Sequence, residues 1–291
     1  MSAYENALEL TNVSKHYTGF DLKDVSLVLP KGTILGLVGE NGAGKTTTIK
    51  LIMNAISRDS GSIRVLGEDN TSPDFRATKE DIGIVLDEAY FPEVLTAKQV
   101  GVIMRHTYLR WQDETYTRFL KTLDLPENRS FKDFSRGMKM KLAIAVALSH
   151  EPKLLVLDEA TSGLDPMVRD EILEIFNDFT RDESHSVLLS SHIVSDLEKI
   201  CDYVAFLHRG EMVLCEEKDR LLESYVVAHL SEAEYGMLPA GAAVGAKRNP
   251  YGVEALLRRD RISASMQTER TSLENIILFL AAQNDDEGNQ R

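Results

Sequence analysis

The segment Gly39-Glu40-Asn41-Gly42-Ala43-Gly44-Lys45-Thr46 decides the fold of this 291-residue chain. It matches the pattern G-x-x-x-x-G-K-[ST] and lies between an apolar stretch, Thr33 to Val38, and a helical pattern from about Lys45 to Ala55. A strand, a glycine-rich loop and a helix in this order predict a loop whose backbone N–H groups bind phosphate at the start of the helix. An ordinary glycine-rich turn is the alternative, and the Lys-Thr pair with its flanking elements disfavours it.

Each polar residue of this loop has an expected task. Lys45 should supply positive charge to the β- and γ-phosphates, Thr46 should hold Mg2+ through its hydroxyl group, and Thr47 should reach the α-phosphate. The residues predicted to bind the nucleotide here are Gly39, Asn41, Gly42, Ala43, Gly44, Lys45, Thr46 and Thr47.

Two adjacent acids follow a second apolar strand, Leu154 to Leu157. The carboxyl ends of the strands in such a sheet lie on one edge, so Asp158 and Glu159 should be close to the phosphate loop. Asp158 is suited to an outer-shell contact with Mg2+, and Glu159 is suited to polarising the attacking water as a general base. A solvated strand end is the alternative for an isolated Asp-Glu pair, and the upstream loop favours the catalytic interpretation.

Apolar runs alternate with helical stretches, a pattern typical of an α/β fold. Between Thr96 and His150 the periodicity is helical, with helix starts predicted at Thr96 and Asp113 and a helix from about Gly137 to Leu148. Further strands are predicted at residues 62–66, 82–86 and 186–190, and a hairpin at 203–207 and 211–214.

The chain should change module near Leu221. After it we expect strands near residues 225–230 and 253–257 and a closing helix at about 272–282, with a Gly/Ala/Pro-rich stretch at 238–250 interrupting the pattern. The helix should bury Leu273, Ile276, Ile277 and Leu280 on one face, and the end from Asn284 should be disordered.

Charge and apolar content exclude several function classes. The 33 basic and 46 acidic residues give a net charge of -13, which disfavours direct contact with nucleic acid or anionic lipid. No apolar run approaches the ~20 residues that span a bilayer, and the N-terminal residues lack a signal pattern, so direct bilayer insertion is not expected. Cys201 and Cys215 have no metal-site spacing, which fits a reducing cytoplasm.

The order of motifs resembles the nucleotide-binding domain of an ABC transporter. Phe134-Ser135-Arg136-Gly137-Met138-Lys139-Met140-Lys141 lies between the phosphate loop and the Asp-Glu strand, and Ser162-Gly163-Leu164-Asp165 and Ser191-His192 follow it. The similarity covers about residues 7–220. It implies an α/β, P-loop ABC ATPase core with an antiparallel β subdomain and a helical subdomain of about residues 88–150. A small α+β module at 221–291, with a disordered end, would complete the chain.

The resemblance also implies roles for single residues. Ser135 and Gly137 would contact the γ-phosphate of an ATP bound by the opposite subunit, so that a head-to-tail homodimer sandwiches each ATP. Asp165 would line that interface and help to position Glu159 across it, while His192 would contact the γ-phosphate and stabilise its charge. Tyr17 would stack on adenine, with plain packing as its alternative.

Three positions depart from the family pattern. Asp87 stands where the family has the Gln of the loop that senses the membrane partner, and Arg136 and Met138 stand where Gly and Gln are most common. A carboxylate can approach Mg2+ but cannot donate a hydrogen bond, so Asp87 is a candidate metal ligand, with a solvated loop acid as the alternative. The Ser-x-Gly-Met-Lys-x-Lys form is similar to bacterial ATPase subunits of the ABC-2 export type.

We therefore expect an ATPase that drives a separate multi-spanning permease from the cytoplasmic face of the membrane, with ATP and Mg2+ as cofactors. Exported peptides or other amphipathic compounds are the expected substrates from this resemblance. The alternative is a stand-alone soluble ABC-type ATPase without a transport partner. The helical region should dock the permease, with four exposed-aromatic candidates, which core packing would explain equally well: Tyr90, Phe91, Tyr108 and Trp111.

Overall fold

A computed structural model describes residues 5–87 and 91–288, with side chains as far as residue 283. The chain separates into two compact units, Met1–Met212 and Val213–Arg291. A boundary near residue 220 for the functional modules stays a prediction. Among the described residues, no helix is long and apolar enough to cross a membrane.

The first unit is organised around a ten-stranded sheet with the strand order β5-β4-β1-β2-β10-β9-β3-β8-β7-β6. The parallel strands β3, β6, β7, β8 and β9 neighbour one another on one side. Strands β1 and β2 form a long antiparallel hairpin, and β4 and β5 extend it. The strands are β1 Asn6–Tyr17, β2 Phe20–Pro30, β3 Ile34–Val38, β4 Ser60–Val65, β5 Glu68–Asp69, β6 Ile82–Val85, β7 Leu154–Asp158, β8 Ser186–Ser191, β9 Tyr203–His208 and β10 Glu211–Glu217.

Burial explains why the parallel strands were visible as apolar runs. All five residues of β3 and of β7 are buried, because neighbouring strands and helices cover both faces of a parallel sheet. The helices of this unit are α1 Lys45–Ile52, α2 Phe75–Thr78, α3 Ala97–Thr107, α4 Asp113–Thr122, α5 Arg136–Leu148, α6 Pro166–Phe179 and α7 Val194–Ile200.

The helical region between β6 and β7 has a core of its own. Thr96 caps α3 in a capping box with Gln99, and α4 begins at Asp113, so both predicted starts are confirmed. Of the aromatic candidates, Phe91 packs edge-on against Phe131 at a ring distance of 5.5 Å. The core consists of Ala97, Val100, Tyr116, Leu120, Leu123, Leu125, Phe131, Phe134, Leu142, Ala145 and Val146, with Phe91 and Trp111 packed against it.

The other aromatic candidates are not free surface residues either. Tyr108 stacks on the buried His150 at 4.0 Å and on Trp111 at 6.4 Å. Burial raises the pKa of Tyr108 and lowers the pKa of His150. Tyr90 lies outside the described residues. Packing explains the described aromatic residues, and the exposed apolar side chains of this region are aliphatic.

The second unit is a four-stranded sheet with the order β12-β13-β11-β14 and a closing helix. Its elements are α8 Lys218–Ser224, β11 Tyr225–Leu230, α9 Glu232–Gly236, β12 Ala243–Asn249, β13 Gly252–Arg258, β14 Glu269–Arg270 and α10 Leu273–Gly288. The predicted apolar face of α10 is confirmed, since Leu273, Ile276, Ile277 and Leu280 are all buried.

Two expectations for this unit were wrong. The Gly/Ala-rich stretch contains β12, because small residues let a helix approach the sheet closely: a Cβ at Gly245 would lie 3.0 Å from the backbone oxygen of Phe279. The stretch from Asn284 was expected to be disordered, whereas α10 continues to Gly288, and the residues before it, Ala281 and Ala282, favour helix. Residues 289–291 lie outside the described residues.

Candidate functional site

The phosphate loop connects β3 to α1 in the conformation that its glycines require. A Cβ at Gly39 would lie 2.3 Å from the backbone oxygen of Leu207 on β9, so only glycine fits there. Gly44, the residue before α1, has φ 112°, a conformation that L-residues rarely adopt. Within the part of the chain that the structure describes, no side chain caps the start of α1, and the first turn of this helix has no acidic residue. The helix therefore presents backbone N–H groups and a positive dipole end to an anion.

Lys45 is buried at the base of this loop. Its side chain is 6% exposed, and Nζ donates hydrogen bonds to the backbone oxygens of Gly39, at 2.7 Å, and of Glu40, at 3.3 Å. Nζ also lies 3.1 Å from Oε1 of Glu159, an oxygen that accepts no hydrogen bond from the described residues. The ammonium group is thus fixed between the loop carbonyls and one catalytic candidate.

Asp158 is held by two hydroxyl groups. It ends β7, it is 2% exposed, and its Oδ2 accepts a hydrogen bond from Thr46 Oγ1 on α1 at 2.8 Å. Its Oδ1 accepts from Ser190 Oγ at 2.5 Å, because β7 and β8 pair with Asp158 opposite Ser190. The Thr hydroxyl and the Asp carboxylate are hard oxygen donors at the phosphate loop, which suits Mg2+ held jointly with nucleotide phosphates.

Glu159 has a strained backbone and a fixed carboxylate. Its φ of 51° is uncommon for a residue with a side chain, and its N–H donates to Ser190 O at 3.1 Å. Its Oε2 lies 2.7 Å from Nδ1 of His192, which follows β8. Lys45, Glu159 and His192, distant in sequence, therefore form one polar cluster at the carboxyl edge of the sheet.

A cavity of about 470 Å³ opens over Lys45 and Glu159 of this cluster. Its volume falls in the range of small-molecule sites, ~300–1,000 Å³. The structure brings together here six of the eight residues predicted in the phosphate loop, with Asp87 and Glu159, and adds Phe20 and Glu40, which the sequence analysis missed. The lining residues are Phe20, Glu40, Asn41, Gly42, Gly44, Lys45, Thr46, Thr47, Asp87 and Glu159.

Of the predicted site residues, Gly39, Ala43, Tyr17, Asp158 and His192 are not among the described lining residues of the cavity. Tyr17 ends β1, is 39% exposed, and pairs with Phe20 across the hairpin. Lys15 Nζ lies 5.7 Å from the centre of its ring. Of the two aromatic residues at this hairpin end, Phe20 is the one that lines the cavity.

Ser135, Gly137 and Asp165 form a second group that is not part of the described cavity lining. Ser135 caps α5 by accepting a hydrogen bond from Met138 N at 3.2 Å, and Asp165 caps α6 by accepting from Val168 N at 3.1 Å. A Cβ at Gly137 would be 3.5 Å from a methyl group of Val168, so the two helix starts adjoin. One chain therefore presents the paired starts of α5 and α6 outside the described lining of the cavity.

Comparison with known proteins identifies the family. The ABC transporter family model matches residues 22–162. The chain is 35% identical over 215 residues to the lantibiotic transport ATP-binding protein SrtF of Streptococcus pyogenes, covering 73% of this chain and 91% of SrtF. The chain belongs to the ABC transporter ATP-binding proteins. As a family member it is an ATP-binding subunit and an ATPase that uses Mg2+.

Other relatives agree with this assignment. The ABC transporter ATP-binding protein YtrB of Bacillus subtilis is 34% identical over 222 residues, which is 75% of either chain. The bacitracin transport ATP-binding protein BcrA of Enterococcus faecalis is 31% identical over 216 residues, 73% of this chain and 70% of BcrA.

Solved structures share the fold. An ATP-binding subunit of an ABC transporter superposes with a TM-score of 0.67 at 28% identity, covering 75% of this chain and 92% of that one. A dimeric ATP-binding cassette, MJ0796 bound to ADP and Pi, superposes with a TM-score of 0.65 at 23% identity, covering 72% and 98%. The expected P-loop ABC ATPase fold is confirmed.

Proposed function

We propose that this ATPase works as a head-to-tail homodimer on the cytoplasmic face of the membrane and drives a separate multi-spanning permease that exports peptides or other amphipathic compounds. The observation that carries the proposal is that one chain divides the expected ATP contacts between the cavity and a helix start outside its described lining. The cavity contains Lys45 and Glu159, while Ser135 and Gly137 lie at a helix start outside its described lining.

A dimer accounts for this separation. The start of α5, with its positive dipole end, suits a phosphate, so a second chain facing the cavity would complete the γ-phosphate site with Ser135 and Gly137. Asp165, beside them at the start of α6, would lie in the same interface.

Within the cavity the residues have separable roles in hydrolysis. Lys45 and Thr47 bind phosphates, while Thr46 and Asp158 hold the Mg2+ that neutralises phosphate charge when bound. Glu159 polarises the attacking water with its buried carboxylate, and His192, 2.7 Å from that carboxylate, stabilises the charge on the γ-phosphate.

Asp87 and Tyr17 complete the proposed binding set. Asp87 lines the cavity, where its carboxylate can approach Mg2+. Tyr17 and Phe20 stand opposite each other at the end of the β1–β2 hairpin, where an aromatic ring can stack on adenine.

The permease should dock on aliphatic residues of the helical region. Val102 and Ile103 on α3 are 46% and 44% exposed, and Val94 and Leu109, which flank this helix, are 77% and 90% exposed. Four exposed apolar side chains on or beside one helix suit a protein interface. Names of relatives that transport a lantibiotic or bacitracin support an amphipathic peptide as the substrate class.

Copurification tests this function. Tagged Glu159→Gln protein, purified with ATP from detergent-solubilised native cells, should bring down a multi-spanning membrane protein in stoichiometric amount. Introducing Val102→Asp and Ile103→Asp should abolish this capture, whereas Val28→Asp, a change at a similarly exposed valine on β2, should not. Capture of soluble proteins alone would favour the stand-alone ATPase instead.

A further inference from the structure

Asp87 and Arg136, two of the positions that depart from the family pattern, contact each other. Arg136 Nη2 lies 3.3 Å from Asp87 Oδ1, although the residues are 49 positions apart. Their side chains are 55% and 54% exposed. Asp87 and Arg136 therefore form one ion pair between the end of β6 and the start of α5.

A third segment fixes the position of the guanidinium group. A Cβ at Gly163, in the loop after β7, would lie 2.9 Å from both Cζ and Nη1 of Arg136. The planar group thus lies against the glycine, where a side chain would displace it. Gly163 has φ 66°, which also favours glycine. The location of Arg136 is defined by contacts on two sides.

The partner of Arg136 also belongs to the nucleotide cavity. Asp87 lines that cavity together with Lys45 and Thr46. A carboxylate that pairs with a guanidinium group has part of its charge neutralised and part of its lone-pair capacity used. A second cation at the same carboxylate must therefore share it with Arg136.

We propose that Arg136 is a positioning residue that competes with the nucleotide-bound cation for the carboxylate of Asp87. It thereby weakens the contribution of Mg2+ to nucleotide binding in this chain. The proposal rests on the proposed function only in taking Asp87 as a contact of the metal. By linkage, cation binding at Asp87 weakens the pairing of Arg136 with Asp87 by the same factor by which that pairing weakens cation binding.

The test measures binding, without turnover. The dissociation constant of a fluorescent, non-hydrolysable ATP analogue is measured with Mg2+ and with EDTA. The ratio of the constant in EDTA to the constant in Mg2+ is the Mg2+ contribution to binding. Direct effects of Arg136 on the phosphates cancel in this ratio. Arg136→Gln should raise the ratio about two- to fivefold, the size expected for an exposed ion pair. Arg136→Lys, which keeps the charge, should give a smaller rise.

The pairing with Asp87 provides the decisive comparison. Asp87→Asn should lower the ratio, and adding Arg136→Gln to it should then change nothing, because the shared carboxylate is gone. Arg105→Gln is the matched control, since Arg105 pairs with Asp113 at similar exposure, 53% and 48%, on the helical region. That control should leave the ratio unchanged.

The proposal is overturned if Arg136→Gln leaves the ratio unchanged or lowers it, or if it acts equally with and without Asp87. Circular dichroism of each variant verifies folding. Because the measurement needs neither a membrane partner nor hydrolysis, a negative result here is distinguishable from failure of the copurification experiment.

Discussion

Replacing Ser190 by alanine removes one of the two hydroxyl groups that hold Asp158. Ser190 Oγ donates to Asp158 Oδ1 at 2.5 Å, and the carboxylate is 2% exposed. A hydrogen bond to a charged group contributes ~1.5–3 kcal/mol, and water cannot readily replace it at this depth. We expect Ser190→Ala to lower the free energy of unfolding of the first unit by about 2 kcal/mol.

Ser186 on the same strand provides the control. It is equally buried, but its hydroxyl accepts from the neutral backbone N–H of Gly32 at 3.0 Å. Ser186→Ala should therefore cost only about 1 kcal/mol, as is usual for a neutral hydrogen bond. Urea titration followed by the fluorescence of Trp111, the single tryptophan, reports on the unit that contains both serines.

Function should separate the two variants further. Ser190 orients a proposed Mg2+ contact from behind, and loss of such a supporting hydrogen bond costs ~10- to 100-fold in activity or metal affinity. Ser186→Ala should leave ATP turnover within about twofold, since its hydroxyl has no contact with Asp158. The reasoning is refuted if Ser190→Ala is no more destabilising than Ser186→Ala and hydrolyses ATP at the wild-type rate.

Three further predictions concern other parts of the chain. Glu159→Gln should lower kcat by ~10²- to 10⁴-fold in a steady-state ATPase assay, the range for losing a general base, with nucleotide affinity retained; turnover unchanged from wild type would remove that role. Burial lowers the pKa of His150, so the stability that depends on neutral His150 is complete above the unfolded pKa of ~6.5 and is lost as pH falls below that value. In urea titrations at several pH values, His150→Gln should reduce this fall in the free energy of unfolding by up to ~1.4 kcal/mol per pH unit. A pH profile identical to that of the wild type would contradict the idea. Gly245→Val should destabilise the second unit by ~1–3 kcal/mol, because the new side chain would meet Phe279. Hydrogen exchange measures this loss, and Gly236→Ala is the mild control, since a Cβ there meets no described atom within 4 Å. Equal protection in both variants would argue against close packing.

Residues that act through a local motif were predictable from the sequence. The phosphate loop, the Asp158-Glu159 strand end and the helix starts at Thr96 and Asp113 each depend on neighbours within a few positions. The strands of the parallel sheet were equally visible, because burial on both faces leaves a continuous apolar run.

Contacts between distant segments could not be predicted in the same way. Ser190 meets Asp158 through the register of two strands, and Arg136 meets Asp87 across 49 positions. Phe20 offered one signal, an aromatic residue next to the glycine of a hairpin, but its place in the cavity depends on how that hairpin packs. These pairings follow from tertiary structure.

Composition was misleading where small residues pack closely. The stretch with Gly245 contains a single β-branched residue, Val244, yet it forms β12 because α10 approaches it there. The described aromatic candidates for docking pack within the helical region, whereas aliphatic residues such as Ile103 and Leu109 are exposed. Only packing distinguishes an apolar core residue from an apolar surface residue.

Mixing two inactive variants tests the central claim, that each ATP site is built from two chains. Lys45→Ala disables the cavity, and Gly137→Asp puts a negative charge at the start of α5, where it suits the helix but repels a phosphate. Each variant alone should be inactive. In a random mixture half the dimers are mixed and contain one intact site, so about a quarter of the wild-type sites should be restored. An ATPase rate equal to the sum of the separate variants would contradict the shared site.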